Sequence, residues 1–133
     1  MKYFKLSELT RSSKAKQLGV ENTPNIEEEE RLINLVHRVL DRLREWYGKP
    51  INVNSGFRNE VVNKAVGGAR YSQHRKGEAA DISVYSKQGN KELFNYIKDN
   101  LPFDQLINEK NYSWVHVSCK LDLTQNRGEI LHL

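Results

Sequence analysis

One apolar stripe, followed by a change of hydrophobic period, limits this chain to few architectures. Leu32, Leu35, Val36, Val39, Leu40 and Leu43 recur at helical spacing between Ile26 and Tyr47. A helix of that length with one apolar side must lay that side against a partner surface. Asn25 and Glu28 have capping-box spacing, with Asn in place of the usual Ser or Thr. Glu27 to Glu30 fill the first turn and Arg38, Arg42 and Arg44 come later, an order that complements the helix dipole. That acidic run therefore reads as a solvated first turn. Gly48 and Pro50 end the helix.

The partner surface comes from the second half. Ile51 to Asn54 alternates like a short strand, closed by Ser55-Gly56. Asn59 to Val66 predicts a short helix, broken at Gly67-Gly68. Ala79 to Tyr85 alternates again: Ala80, Ile82 and Val84 face one way, Ala79, Asp81, Ser83 and Tyr85 the other. A helix near Asn90 to Asn100 carries Leu93, Phe94 and Ile97 as its buried stripe. Trp114 to Ser118 is a third strand, with Val115 and Val117 opposite Trp114, His116 and Ser118. Upstream, residues 5 to 19 predict one or two short helices, with Ser7 and Ser12 or Ser13 as caps and Gly19 as a stop. Helices first and strands later predict an α+β fold: a single domain over residues 1–133, with N-terminal helices packed on a small, mostly antiparallel sheet.

Composition excludes some classes. With 133 residues, 38% hydrophobic and 29% charged, the chain suits one hydrophobic core. No apolar run approaches the ~20 residues of a membrane helix. The N-terminus has no apolar secretory core, so the expectation is synthesis in the cytoplasm and action elsewhere after release or export. Cys119 stands alone, which excludes an internal disulfide and suggests a small apolar filler. The net charge of +4 suits an anionic polymer such as cell wall or nucleic acid. It is spread along the chain, and no basic-aromatic cluster or known motif points to a nucleic-acid partner. A monomer without nucleic-acid or membrane partners is expected.

Two strands each place one ligand-type residue, Asp81 and His116, among apolar neighbours. Such a group is costly to bury unless paired or bound to metal. His74 lies seven residues before Asp81, on the glycine-containing loop Ser72-Gln73-His74-Arg75-Lys76-Gly77. If that loop folds back over neighbouring strands, two imidazoles and one carboxylate meet. With a fourth position open, that is the usual form of a catalytic zinc site, which makes water a nucleophile near neutral pH.

Ser72 to Asp81 reads S-x-H-x-x-G-x-A-x-D. Ser55-Gly56-Phe57-Arg58, Asn63 with Val66-Gly67-Gly68, Phe103-Asp104-Gln105-Leu106-Ile107 and Trp114-Val115-His116-Val117-Ser118 complete a collinear pattern. It resembles peptidase family M15, the zinc D-alanyl-D-alanine carboxypeptidase family. That family includes D-Ala-D-Ala dipeptidases and phage L-alanyl-D-glutamate endolysins. The resemblance implies one Zn2+ per chain on His74, Asp81 and His116, and hydrolysis of an amide bond in peptidoglycan stem peptides. It implies that Arg58 orients the substrate carbonyl, a role that its rigid fork of donors suits. Ser72 is expected to hold the ligand loop or touch substrate, Gln73 to bind substrate, Gly77 to permit the turn, and Trp114 to line the cleft or pack in the core.

The pattern departs from its relatives at one place. Several carry an acidic general base three residues before the last histidine, where this chain has Ser113. A hairpin between about Leu106 and Val117 would bring Glu109 near the metal, so Glu109 is the expected base. Asp104 is the weaker candidate, better suited to bracing the hairpin. A zinc-containing wall-binding or phage structural module without turnover is the alternative. His37 falls on the polar side of the long helix, His132 by the C-terminus, and both should be exposed. Tyr71 and Tyr85 are candidates for substrate contact, but tyrosines near a ligand loop more often pack, and packing is expected.

Overall fold

The long helix begins where its capping box predicts. The Asn25 side chain accepts from the Glu28 amide at 2.8 Å, and the Glu28 carboxylate accepts from the Asn25 amide at 2.9 Å. The computed structural model describes residues 1–133. It contains α1 (Leu6–Thr10), α2 (Ser13–Leu18), α3 (Ile26–Leu35), a π-helical turn (Val36–Leu40) and α4 (Asp41–Tyr47). β1 (Asn52–Ser55), α5 (Glu60–Ala65), α6 (Gln73–Lys76), β2 (Ala79–Ser83) and α7 (Lys87–Asn100) follow. The chain ends with β3 (Gln105–Glu109), β4 (Trp114–Ser118), a 3-10 turn (Leu123–Gln125) and β5 (Glu129–His132).

The strands make one sheet in the order β1-β2-β4-β3-β5, antiparallel except for the β3–β5 pair. The domain is α+β, as the sequence predicts. All six residues of the apolar stripe are fully buried. They pack with Val53, Ala80, Ile82, Leu106, Val115 and Val117 from one face of the sheet, and with Leu93, Phe94 and Ile97 of α7. Each such side chain contributes about 1.5–3 kcal/mol of burial, enough to fix which face of every strand turns inward.

Three boundaries differ from expectation. Ser7 does not cap α1; the helix starts two residues earlier, with Lys5 at the cap position and Glu8 accepting from the Lys5 amide. The last long helix begins at Lys87 rather than near Asn90, because Ser86 caps it and accepts from Gly89. β5 was not predicted. Its four residues pair with β3 in parallel, and so short an edge strand has no periodic signal to separate it from a loop.

Candidate metal centre

The sheet register puts Asp81 and His116 together on the face away from the long helix and α7. Asp81 of β2 pairs directly with His116 of β4, and β4 pairs with β3 so that Glu109 opposes Trp114. Directly opposed residues project from the same face, and residues two apart in a strand share it. Asp81, His116, Trp114 and Glu109 therefore share one face. β1 carries a bulge between Val53 and Ser55 where it pairs with Asp81, the kind of irregularity that re-aims side chains beside a site.

His74 sits on a single helical turn, α6, where the sequence suggested a loop. Ser72 caps that turn by accepting from the His74 amide at 3.2 Å, and Gly77, at φ +81, ends it. His74 is almost fully buried, and its Nδ1 donates to the Gly56 carbonyl at 2.8 Å. A carbonyl only accepts, so Nδ1 keeps a proton, and Nε2, which faces Asp81, is the nitrogen that ligates once it gives up its own. This partner fixes both tautomer and ring orientation, the usual support for a ligand histidine. Gly56 is held in turn by close backbone packing: a Cβ there would meet the Leu9 carbonyl oxygen at 2.3 Å.

His74 Nε2 lies 3.4 Å from Asp81 Oδ2, and His116 Nδ1 lies 3.0 Å from Asp81 Oδ1. One donor atom from each of the three residues lies within 4.8 Å of the others, so the group could hold one metal ion. The donor set fits the purpose. Two imidazoles and one carboxylate are a usual donor set for zinc, and their donor atoms are close enough together to share one ion. Burial works against ionisation of Asp81, yet hydrogen bonds from His116 and His74 and their charge hold its carboxyl well below the usual range. The carboxylate is thus ready as a ligand.

Beside this group lies a cleft of about 430 Å³, lined among others by Asn54, Ser55, Arg58, Asp81, Glu109 and Trp114. The segment from Arg11 to Lys14 completes its rim, a contribution from distant sequence that no local pattern revealed. A larger hollow of about 740 Å³ lies between the N-terminus and the long helix, but shares no residue with the ligand group. Chemistry rather than volume therefore picks the site. Arg58 is partly buried; burial lowers its guanidinium from its ordinary value, and the charge of Asp81 offsets this in part. Two buried donors of the cleft residues, Arg58 Nε and Trp114 Nε1, have no acceptor in the protein. Buried donors are nearly always paired, so such groups call for an explanation, and an acceptor on a ligand supplies one.

Other sequence-singled residues serve the frame. Gln73 Nε2 donates to Asp104 Oδ2 at 2.9 Å, and neither Ser72 nor Gln73 lines the cleft. In the structure Ser72 caps α6 and Gln73 braces Asp104. Asp104 is fully buried, with a two-pronged bond to Arg127. It braces the start of β3 and lies outside the cleft. Cys119 is buried, and His37 and His132 are exposed, as expected. Tyr71 and Tyr85 are 77% and 76% exposed, against the packing foreseen for them; Tyr71 lies within a turn, and Tyr85 forms the bend after β2 at φ 55. The Gly56 carbonyl was missed as the partner of His74, although it lies inside the Ser55 to Arg58 motif. A backbone acceptor leaves no residue-type signal.

A stretch of 49 residues is 51% identical to the zinc D-Ala-D-Ala carboxypeptidase of Streptomyces albus G. It covers 36% of this chain and 19% of that relative, so the chain matches about a fifth of the relative's length. The model of a whole family, Peptidase M15, matches residues 2–118, which include β1 to β4 and all three ligand-type residues. The chain belongs to peptidase family M15.

Proposed function

We propose that this chain is a zinc-dependent peptidase that hydrolyses an amide bond in peptidoglycan stem peptides, acting as a monomer of D,D-carboxypeptidase or L,D-endopeptidase type. The observation that carries the reading is the juxtaposition of an open three-ligand group with Arg58 and Glu109 in one cleft. A structural zinc site usually closes with four protein ligands; three leave a position for chemistry. The relative's name supplies zinc and the D-Ala-D-Ala bond for that protein, and family membership extends the inference to this chain. The likeness to phage endolysins in sequence pattern favours a phage or prophage lysis role.

His74, Asp81 and His116 would hold the ion, which when bound supplies a Lewis acid and lowers the pKa of water. Arg58 offers its donors to the oxygen of the scissile carbonyl, where negative charge grows in the transition state. The Glu109 carboxylate accepts the proton from the attacking water and passes it to the leaving amine. Trp114, opposite Glu109 in the hairpin, gives the cleft an apolar wall beside the carboxylate. Ser113 is exposed and its hydroxyl donates to the Lys110 carbonyl at 2.6 Å, so the acid that relatives carry there has no counterpart at this position.

The test is zinc content by elemental analysis on wild type and His116→Ala, paired with release of new amines from purified peptidoglycan. The proposal requires about one zinc per chain, lost in the variant, with chelator-sensitive amine release. Zinc without amine release would favour a binding module instead, and absence of zinc would overturn the reading. Mass spectra of the fragments name the bond.

A further inference from the structure

A second hollow, of about 320 Å³, is lined by Glu60, Asn63, Lys64, Gly68, Arg70 and Arg75. We propose that it is an anion subsite that takes a free carboxylate of the peptide substrate, apart from the bond being cleaved. This inference rests on the peptidase reading and narrows it to substrates that carry such a carboxylate near the scissile amide.

The lining has three cationic side chains, one carboxylate and no apolar side chain. Its single acid is a weak counterweight. Glu60 is 82% exposed at its side chain and lies 3.9 Å from Arg75 Nη2, a separation and exposure at which an ion pair contributes little. Lys64 and Arg70 form no ion pair in the protein. Arg75 Nη1 donates to the Arg70 carbonyl at 2.7 Å, which ties its fork to the wall beside Arg70. A planar fork of donors held in place suits a carboxylate, which it meets through two parallel bonds.

The position relates this hollow to the chemistry. Gly68 lines both the hollow and the metal-side cleft. A Cβ on Gly68 would lie 2.1 Å from Asn63 Oδ1 and 3.0 Å from Arg58 Nη1. Glycine therefore lets the Asn63 and Arg58 side chains pack directly against the backbone that separates the two hollows, with Arg58 on the cleft side. A peptide whose scissile carbonyl meets Arg58 can extend past Gly68 and present a neighbouring carboxylate to Arg70, Arg75 and Lys64. Wall polymers also offer phosphate, but a phosphodiester chain has no reason to be placed next to a scissile amide. Continuity with the cleft favours the substrate's own carboxylate.

The experiment compares hydrolysis of a synthetic stem peptide with versions in which each free carboxylate in turn is a carboxamide, by the zinc-loaded full chain. For one position, amidation should raise KM roughly tenfold while kcat stays within about twofold. The double variant Lys64→Gln, Arg70→Gln, both exposed positions, should no longer distinguish that acid from its amide. Equal KM for every amide, or a variant that weakens acid and amide alike, overturns the subsite and leaves the peptidase reading standing. If wild type cleaves none of the peptides, the peptidase reading fails and binding decides the subsite. NMR shifts at Lys64 and Arg70 on adding the acid peptide but not its amide support it. Tighter binding of polyglycerol phosphate at the same residues overturns it.

Discussion

Asp81 and His116 face each other across an antiparallel strand pair, with Oδ1 of one 3.0 Å from Nδ1 of the other. His74 reaches the second oxygen of the same carboxylate. One carboxylate thus joins both imidazoles, so Asp81 is the residue on which the ligand geometry turns. Substituting it by Asn keeps the shape and removes the charge. Metal content should fall well below one per chain, and removing the ion from wild type with a chelator should lower Tm on the order of 10 °C. Calorimetry with and without added zinc measures this, and an unchanged Tm would argue against a bound ion.

Glu109→Gln preserves size and takes away the basic oxygen. It should lower kcat roughly 10²–10⁴-fold and leave zinc content intact. Near-normal turnover in this variant would assign proton transfer to some other group.

Arg58→Ala should lower kcat roughly 10²–10³-fold, and Arg58→Lys should restore only part of the loss, because the ammonium lacks the planar fork. An effect on KM alone would instead mean that Arg58 binds substrate and transition state equally.

Asp104 makes the fold sensitive to acid. Burial opposes its ionisation, but the Arg127 side chain and amide and the Gln73 amide group lower its pKa from 3.8 to about 2. A depressed carboxylate pKa gives stability that is fully present above the unfolded value and lost as pH falls through the folded one. The window is therefore from about pH 4 down to about pH 2, and the amount is on the order of 2 kcal/mol. Asp104→Asn should be less stable than wild type at pH 7, and the difference should shrink in that window. A constant difference across pH, in denaturant melts, would contradict this account.

Gly56→Ala places a methyl group 2.3 Å from the Leu9 carbonyl oxygen. Backbone must move, at a cost on the order of 3 kcal/mol, and the Gly56 carbonyl should withdraw from His74. The variant should lose both stability and zinc affinity, whereas loss of stability alone would show that His74 keeps its orientation without this partner.

Local chemistry made much of this legible. The helix from Ile26 to Tyr47 carried its cap, its stripe and its stop in the sequence, and the alternation around Asp81 and His116 assigned each to the outer face. Helix caps and strand alternation depend on residues within a few positions of each other, so they survive in any fold the chain adopts. The four-residue strand β5 and the turn that carries His74 lacked such a signal, since each is defined by what it packs against.

The sequence by itself determined the kinds of element, their inward faces and the residue types able to hold a metal, because these follow from period and side-chain chemistry. Only the tertiary structure decided that Asp81 pairs with His116, that the Gly56 carbonyl orients His74, that Gln73 and Asp104 brace the frame, and that Arg58 and Glu109 share one cleft. Those relations join positions far apart in the chain. They exist only once strand register and close backbone packing have fixed the distances.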